Sequence, residues 1–534
     1  MRGYSTNKGW GLNGIASWCA CWERWGRCGR KARSNTMRLP GVAKSTNREW
    51  SLQQRAIFEA FRSAPGHVLV RARAGTGKTT TILEALQYAP ESKILLGAFN
   101  KQIADELQTR VSDSRVSAKT LHALGMGYIR AQVDDVRVDA NNRAWDLVKD
   151  VASDAPQAIK VALKNLHTKV RELNPWAETT SDIERIAIAY DLVPDESELR
   201  GKWTEAHYYE TVLTILEHAA DEVEVIDFAD MIFLPLRRGW AWPVADLVVV
   251  DEAQDMTGPQ LEIALRACRK DGRIVIVGDD RQAIYGFRGA ASDGLDRLKK
   301  RLEAVELGLT TTYRCGQAIV EVARALVPDF QAAPTAPEGI VRTAPLSAWM
   351  EAQPGDFVLS RVNAPLMGVA LGLIRQGKRA RIRGRDIGKG LVELVNKLKL
   401  SRLEDLDGAL EQWSRREIAR LNKKDQAVAR TRIAQIMDNV DTLLTLAETV
   451  ATVAELTSKL TTLFSDEGVS EGVVMCSTIH RAKGLEAGRV WVLEDTLKGG
   501  NLEEENLRYV AVTRAKEELV LVTKNYVAPE GGEQ

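Results

Sequence analysis

No apolar run in this 534-residue sequence approaches the about 20 residues that a membrane-spanning helix needs. The longest runs, such as LVVV at 247–250, have the length of a strand. An excess of one charge is also missing, because the net charge is only +1. Bulk charge therefore neither supports nor excludes a nucleic-acid partner, and any such site has to come from local patches. The composition, 45% hydrophobic and 27% charged, is that of a soluble globular protein of several domains, with no membrane partner expected.

Cysteine is scarce, with six residues, and forms no recognisable disulfide or zinc pattern. Cys268, Cys315 and Cys476 stand alone, as reduced cysteines of cytosolic proteins do. The other three crowd the N-terminus: Cys19, Cys21 and Cys28. Their spacing matches no zinc template, and no histidine pair follows. We therefore expect a cytoplasmic protein, associated with the nucleoid if it is bacterial.

The first 47 residues lack a helical or strand period and the continuous apolar core of a signal peptide. They have a basic bias, many glycines and four tryptophans: Trp10, Trp18, Trp22 and Trp25. Two interpretations stay open. This segment is either a flexible basic arm or the translation of codons upstream of a functional start at Met37.

From residue 67 onward, short apolar runs end in small or charged residues. Each run is typical of a buried parallel strand followed by a loop. Ligands of open α/β sheets bind beyond the carboxyl ends of the strands, so these polar residues are expected to converge on one cleft. The runs are 67–79, 93–101, 246–255, 273–282, 356–361, 472–484 and 489–495. Between them, 125–225 and 386–469 are strand-poor and helix-like, as insertions would be.

The string ARAGTGKTT at 72–80 is a phosphate loop between a predicted strand and a predicted helix. Its glycines let backbone amides approach phosphate oxygens at the helix N-terminus. Lys78 would reach the β and γ phosphates, and the hydroxyl of Thr79 would bind Mg²⁺. Ala72 replaces the usual first glycine, a variant that suits helicase-type motors. The predicted nucleotide contacts of the loop are Ala74, Gly75, Thr76, Gly77, Lys78, Thr79 and Thr80.

The string VVVDEAQD at 248–255 supplies the acidic half of such a site. Asp251 ends a predicted strand and can hold Mg²⁺ together with Thr79. Glu252 is placed to polarise the attacking water as a general base. The two motifs together predict Mg²⁺-dependent hydrolysis of ATP.

Further motifs follow in order, and over most of residues 50–520 the chain resembles a UvrD/Rep-type DNA helicase of superfamily 1. They are SLQQRAIF (51–58), GAFNK (97–101), TLHALG (120–125), GDDRQAIYGFRGA (278–290), TTTYRC (310–315), STIHRAKGLEA (477–487) and YVAVTRAK (509–516). The resemblance implies an α/β fold with two RecA-like P-loop domains, each interrupted by a mainly helical insertion.

The resemblance also implies roles around the nucleotide. Arg314 and Arg514 would be arginine fingers that reach the γ-phosphate from the second domain. Gln282 would sense the same phosphate. Gln54, or Gln53 in its place, would read the adenine. Tyr313 would stack on the adenine, and Glu486 would touch the ribose. Core packing remains the alternative role for Tyr313, and a helix surface is the ordinary place for a lone arginine such as Arg514.

On the DNA side, the resemblance implies that bases stack on Phe99, Tyr285 and Phe287. Phe287 stands where a tryptophan is more usual. The other implied DNA contacts are Asn100, Thr120, His122, Arg288 and His480. The basic run at 375–386 is either a solvated face or a phosphate contact.

The function implied is an ATP-dependent helicase or translocase that moves 3′ to 5′ on single-stranded DNA. It would act at junctions of single and double strands in DNA repair or recombination, with loading or repair proteins as partners. The short second insertion favours an alternative, a translocase that does not unwind DNA by itself. Two rivals are a small-molecule kinase and a DNA-binding scaffold with a decayed site, and no nuclease constellation is present.

The expected domain boundaries follow from the motifs and the strand-poor regions. They are 1–47 (N-terminal segment), 48–124 with 226–300 (first RecA-like domain), 125–225 (first insertion), 301–385 with 470–527 (second RecA-like domain), 386–469 (second insertion) and 528–534 (tail).

Overall fold

The computed structural model describes residues 49–98, 100–195, 197–284, 293–421, 426–465 and 472–526. The N-terminal segment 1–47 and the tail 528–534 therefore lie outside the described residues. None of the helices in the described ranges combines the length and the apolar character that crossing a bilayer requires.

The first half of the described chain builds a parallel sheet of six described strands, in the order β3-β2-β6-β7-β1-β8. Their bounds are β1 Val68–Ala72, β2 Ile94–Ala98, β3 Val116–Thr120, β6 Ala245–Val250, β7 Cys268–Gly278 and β8 Val305–Leu309. A small separate pair consists of β4 Arg137–Val138 and β5 Val225–Ile226. Strand β6 lies between β2 and β7, and its run Leu247–Val250 is fully buried, as expected of a central parallel strand.

The second half builds a parallel sheet of seven described strands, in the order β11-β17-β16-β12-β15-β13-β14. Their bounds are β11 Ile340–Pro345, β12 Phe357–Ser360, β13 Ala380–Arg383, β14 Phe464–Ser465, β15 Val474–Thr478, β16 Ala487–Leu493 and β17 Ala515–Thr523. The short strands β9 Thr311–Thr312 and β10 Gln331–Ala332 form a pair of their own. Among the described strands the chain passes from one sheet to the other once, at Thr310.

Helices cover the sheets and fill the segments between them. Those up to β8 are α1 Leu52–Ser63, α2 Lys78–Leu86, α3 Lys101–Arg110, α4 Leu121–Arg130, α5 Arg143–Ala152, α6 Gln157–Leu173, α7 Thr180–Ala189, α8 Glu205–Asp221, α9 Asp230–Arg237, α10 Gly258–Arg266 and α11 Gly294–Leu302. Those after β9 are α12 Gln317–Arg324, α13 Ala364–Arg375, α14 Arg385–Leu398, α15 Leu406–Leu421, α16 Gln426–Ala447, α17 Val453–Leu463, α18 Ile479–Ala482 and α19 Leu502–Val512.

The predicted fold class is confirmed. All seven predicted runs contain strands of the two parallel sheets, namely β1, β2, β6, β7, β12, β15 and β16. The strand-poor stretch 125–225 is mainly helical and includes the short strands β4 and β5. The described part of 386–469 is also mainly helical, but it includes β14, which pairs with β13 and so joins the second sheet.

The two helical segments touch each other through ion pairs. Lys397 on α14 lies 3.3 Å from the carboxylate of Asp195, and Arg432 on α16 pairs with Asp191. The first segment has a hydrophobic core of its own, in which Ile159, Leu163 and Leu166 of α6 are fully buried.

Candidate functional site

The phosphate loop connects β1 to α2 at the carboxyl end of the first sheet. Gly75 and Gly77 have φ angles of +69° and +75°, a backbone region that side chains disfavour. Gly77 caps α2, so Lys78 and Thr79 are its first residues. The first amide groups of a helix have no partner inside the helix, and they point toward any anion that binds at that end. Behind them, Thr76 closes the loop by donating from Oγ1 to the carbonyl of Arg73 at 2.9 Å.

The acidic motif after β6 lies directly beside this loop. Thr79 donates from Oγ1 to Asp251 at 3.3 Å, and Lys78 Nζ lies 2.6 Å from the carboxylate of Glu252. Burial, together with the charge of Glu252, raises the pKa of Asp251. Burial also opposes ionisation of Glu252, but Lys78 and Lys483 outweigh it and lower the pKa of that carboxyl. Glu252 is therefore held as a carboxylate, the form that a general base requires.

Arg514 is 1% exposed, so it is not the surface arginine that a lone arginine would suggest. It follows α19 and directly precedes β17. Its Nε donates to the carbonyl of Val510 at 3.0 Å and its Nη1 to that of Leu485 at 3.1 Å. Its Nη2 donates to Oε1 of Gln282 at 3.5 Å, which brings together two of the predicted phosphate-binding residues. Burial and the charge of Arg314 lower the pKa of Arg514 to about 10.

Arg314 follows β9 and is fixed by one side chain and one backbone carbonyl of the second half. Its Nε lies 2.6 Å from the carboxylate of Glu486, and its Nη1 donates to the carbonyl of Thr513 at 3.3 Å. Glu486 also pairs with Lys516 at 2.6 Å. The predicted ribose contact and the predicted arginine finger are thus paired with each other.

The phosphate loop touches the second half of the chain through its backbone. The amide of Tyr313 donates to the carbonyl of Gly75 at 2.9 Å, and the amide of Ala74 donates to the hydroxyl of Tyr509 at 3.0 Å. A Cβ atom on Gly75 would lie 2.5 Å from Cβ of Arg314 and 2.5 Å from Oγ1 of Thr312. This approach requires glycine at position 75. We call the space between the phosphate loop and the segment 312–314 the cleft.

The two glutamines of the predicted adenine motif have different surroundings. Gln54 is buried, its Oε1 accepts from the amide of Ser51 at 3.0 Å, and its Nε2 donates to Oγ1 of Thr81 at 3.0 Å. It completes a capping box at the start of α1, and it lies beside Gly77 of the phosphate loop. Gln53 instead exchanges two hydrogen bonds with Thr310, at 2.8 and 2.9 Å. Of the two, Gln54 is the one next to the nucleotide loop.

Tyr313 is 46% exposed at the mouth of the cleft. Core packing, the alternative role for this ring, is therefore not what the structure has. Thr80 lies on the first turn of α2, where Arg110 donates to its hydroxyl at 3.5 Å.

Two of the predicted DNA contacts serve as helix caps. Asn100 caps α3 by accepting from Ile103 at 2.9 Å, and Thr120 caps α4 by accepting from Ala123 at 3.1 Å. Because β2 and β3 are paired from Ile94 to Ala98, these two caps lie side by side at one sheet edge. His122 is half-buried beside them, and burial lowers its pKa.

The fourth of the described DNA candidates, His480, lies on the short helix α18 of the second half. It therefore belongs to the second half of the chain, whereas the two caps belong to the first sheet. The other candidates lie outside the described residues: Phe99, Tyr285, Phe287 and Arg288.

The basic run at 375–386 spans the end of α13, strand β13 and the start of α14. Lys378 has a structural role, because its Nζ donates to the carbonyls of Met350 and Ala352 at 2.6 and 2.9 Å. Asp386 pairs with Arg481, next to His480. The run therefore adjoins the fifth motif.

Three side chains near the site were not singled out from the sequence. Gln254 donates to Glu252 at 2.6 Å and accepts from the amide of Asp279 at 3.2 Å, so it joins the acidic motif to the third motif. Lys483 binds Asp255 across the cleft, and Tyr509 accepts from the phosphate loop. All three lie inside the motifs quoted above. A polar side chain close to predicted site residues within such a motif is the signal that could have identified them.

The fold and the cleft define a RecA-like P-loop architecture with two parallel sheets. A model of the UvrD/REP helicase N-terminal domain matches residues 51–303, and a model of the UvrD-like helicase C-terminal domain matches residues 474–522. The two matches together cover more than half of the chain, and the protein belongs to the UvrD/Rep helicase family.

Known relatives agree with this assignment. The chain is 26% identical over 286 residues to the ATP-dependent DNA helicase Rep of Buchnera aphidicola, which is 49% of this chain and 43% of that protein. It is 30% identical over 294 residues to the F-box DNA helicase protein 1 of Schizosaccharomyces pombe, or 52% of this chain and 32% of that protein. It is 26% identical over 298 residues to Rep of Escherichia coli, or 50% and 42%. Each alignment spans less than half of the relative's length.

Proposed function

We propose that the protein is an ATP-dependent DNA helicase or translocase that moves 3′ to 5′ along single-stranded DNA. The observation that carries the proposal is that Arg314 lies against Gly75 of the phosphate loop and that Arg514 is bonded to Gln282. Both arginines come from the second half of the chain, whereas the phosphate loop comes from the first. A site divided in this way is complete only when the halves close, so hydrolysis and domain motion become one cycle.

The proposed roles follow from the contacts around the acidic motif. Lys78 and Glu252 form an ion pair, and the β and γ phosphates of ATP would compete for Lys78. Glu252, released from Lys78, is the proposed general base, with Gln254 as a remaining partner at 2.6 Å. Gln282 is the proposed γ-phosphate sensor, because it already lies next to Arg514.

Thr79 and Asp251 fit a magnesium ion, since both offer hard oxygen ligands and their side chains are in contact. When bound there, Mg²⁺ would neutralise charge on the phosphates of ATP. The chain's own contribution is to keep these two oxygens together at the start of α2 and the end of β6.

The remaining predicted site residues are proposed to contact the adenine, the ribose and the DNA. Gln54 and Tyr313 are proposed for the adenine, and Glu486 for the ribose. The DNA track is proposed to run over Asn100, Thr120, His122 and His480, together with Phe99, Tyr285, Phe287 and Arg288. We also propose the domain division given by the motifs, a cytoplasmic location, and a role in DNA repair or recombination with loading or repair proteins as partners.

A small-molecule kinase is the less favoured alternative. A kinase of that class has to place an acceptor next to the γ-phosphate, and it does not need a second parallel sheet from which Tyr509 and Arg314 contact the phosphate loop. The arginine pair therefore favours hydrolysis coupled to domain motion.

The first test is steady-state ATP hydrolysis with and without a single-stranded oligonucleotide. We expect strong stimulation of the wild type by DNA, and almost none of this activity in the Glu252→Gln and Arg514→Ala variants. Robust hydrolysis that ignores DNA, or normal hydrolysis by Arg514→Ala, would contradict the proposal.

Strand separation requires a second test, because the second helical segment, from α14 to α17, is short for the family. A duplex with a 3′ single-stranded tail, labelled for strand displacement, separates the two cases. Displacement by the protein alone supports a helicase. DNA-stimulated hydrolysis without displacement supports the alternative, a translocase that does not unwind DNA by itself.

A further inference from the structure

Arg73, within the phosphate loop, is a buried cation that contacts three carboxylates. It is 7% exposed. Its Nε and Nη2 both donate to Asp329, at 3.0 Å each, and its Nη1 donates to Asp280 at 2.8 Å and to Asp279 at 3.2 Å. A planar guanidinium can satisfy several carboxylates at once in fixed directions, which an ammonium cannot do. The position is therefore specific for arginine.

One side of this contact leads to the proposed phosphate sensor. The side chain of Asp279 is fully buried, and its two oxygens have different partners. Oδ1 accepts from Arg73, and Oδ2 accepts from Nε2 of Gln282 at 2.6 Å. The orientation of Gln282 thus depends on a carboxylate that Arg73 holds in place.

The other side of the contact leads to the second half of the chain. Asp329 lies between Val327 and Phe330, which are buried in the core beneath the second sheet with Phe357 and Met475. The pair of Arg73 and Asp329 therefore crosses the cleft, next to the bond between Ala74 and Tyr509. The carboxylate of Asp329 is 46% exposed, so water can replace Arg73 when the cleft opens.

The neighbouring Arg71 provides a contrast. Its guanidinium pairs with Asp280 at 2.9 Å, Asp296 at 2.6 Å and Glu306 at 2.7 Å. All three partners precede Thr310 in the chain and belong to the first half. Arg71 therefore ties the first half to itself, whereas Arg73 ties it to the second half.

We propose that Arg73 is a positioning residue that links closure of the cleft to the orientation of Gln282. In the closed cleft, Asp329 fixes two nitrogens of the guanidinium, and the third then holds Asp279 and through it Gln282. When the cleft opens, Asp329 is withdrawn, and Arg73 loses the anchor that sets its direction. This inference rests on the proposed function, because it concerns turnover of ATP in the same cleft.

The test compares Asp329→Asn with Asp296→Asn. Both carboxylates are substantially exposed and each pairs with an arginine of 71–73, but only Asp329 lies across the cleft. We expect Asp329→Asn to lower kcat roughly three- to tenfold in DNA-stimulated hydrolysis, with a smaller change in the KM for ATP, because a half-exposed partner is lost and the loss reaches the phosphate only through Gln282. Asp296→Asn should leave both constants within about twofold of wild type, since a single exposed ion pair contributes little.

Arg73→Lys completes the test, because it keeps a charge beside the buried Asp279 but cannot hold the carboxylates in fixed directions. We expect it to lower kcat through Gln282, and Asp329→Asn should then have no further effect on kcat. Equal constants for Asp329→Asn and Asp296→Asn would overturn the inference, as would full additivity of Arg73→Lys and Asp329→Asn. A wild type that fails to hydrolyse ATP with DNA would instead refute the proposed function, so the two failures are distinguishable.

Discussion

The guanidinium of Arg514 donates to the side-chain oxygen of Gln282 at 3.5 Å, and the two residues come from opposite sides of the cleft. A cation at this place can stabilise charge on a phosphate that Gln282 also contacts. We expect Arg514→Ala to lower kcat for ATP by roughly 10³–10⁵-fold, the usual contribution of an arginine finger. Steady-state hydrolysis with saturating DNA measures the effect.

Arg508→Ala is the matched control, because Arg508 lies on α19, the helix that directly precedes Arg514, and its side chain is 45% exposed beside Glu494. It should keep kcat near the wild-type value. The melting temperature of Arg514→Ala must also be measured, because that side chain is fully buried. A folded Arg514→Ala protein with wild-type kcat would contradict the role proposed for Arg514.

Glu252→Gln should abolish hydrolysis without abolishing nucleotide binding. Removing a general base costs roughly 10²–10⁴ in rate. Lys78 loses its ion pair in this variant and becomes available to phosphate, so affinity for a non-hydrolysable ATP analogue should be equal to wild type or higher. Equilibrium binding of a fluorescent analogue measures this, with Glu262→Gln as the control, since that side chain pairs with Arg266 and Arg301 away from the cleft. Weaker binding by Glu252→Gln would argue against the competition for Lys78.

Gly75→Ala should prevent the cleft from closing. The new methyl group would lie 2.5 Å from Arg314 Cβ, and the φ angle of +69° adds strain of roughly 1 kcal/mol. We expect kcat to fall at least tenfold with little loss of folded protein. Gly66→Ala is the control, because no atom lies within 4 Å of the added Cβ there. Equal activity of the two variants would show that the contact between Gly75 and Arg314 is not needed for turnover.

His167 should make stability depend on pH. Burial and the nearby charge of Arg171 lower the pKa of this imidazole to about 3, from 6.5 in its ordinary state. The unfolded chain therefore binds a proton between these values that the folded chain does not, and folding stability is lost as pH falls from about 6.5 toward 3. The loss from this residue amounts to at most roughly 1.4 kcal/mol per pH unit.

The measurement is the free energy of unfolding in urea at several pH values. His167→Gln should flatten the slope below pH 6.5, and His207→Gln, a surface variant on α8, should not. Asp227 and Asp230, which pair with Arg171, lie at the same site, so the slope of the whole protein includes the titration of these two carboxyls as well. An unchanged slope in His167→Gln would contradict the neutral, buried imidazole.

The strands and the phosphate loop could be predicted because their signals are local. An apolar run such as 247–250 is stable in an α/β protein as a strand buried on both faces of the sheet. The loop glycines adopt the conformation that lets backbone amides approach a phosphate. Strand β14 could not be predicted, because its two residues become a strand only by pairing with β13, far away in the sequence. The difference between Gln53 and Gln54 also escaped the sequence, since adjacent positions of one helix face different neighbours: Thr310 in one case, Thr81 in the other.

The contacts across the cleft were the least predictable. Arg73 looks like a variable residue of the phosphate loop, and nothing near Asp329 in the sequence marks it as a partner. Their pairing depends on how two separately folded sheets approach each other, and no local pattern encodes that approach. The predicted arginine fingers were identified through family motifs, and their shared contact with the first half is a property of the fold.

The two hydrogen bonds between Gln53 and Thr310 hold the segment that connects the two described sheets at one fixed point. Thr310 is held at both its amide and its hydroxyl by a side chain of the first half. In the proposed cycle of closing and opening, the second half would therefore rotate about Thr310 rather than slide past it. The residues farthest from Thr310 would then move the farthest for a given closing angle. Gln53 therefore fixes the connection between the two sheets at Thr310, the point about which the proposed rotation would occur.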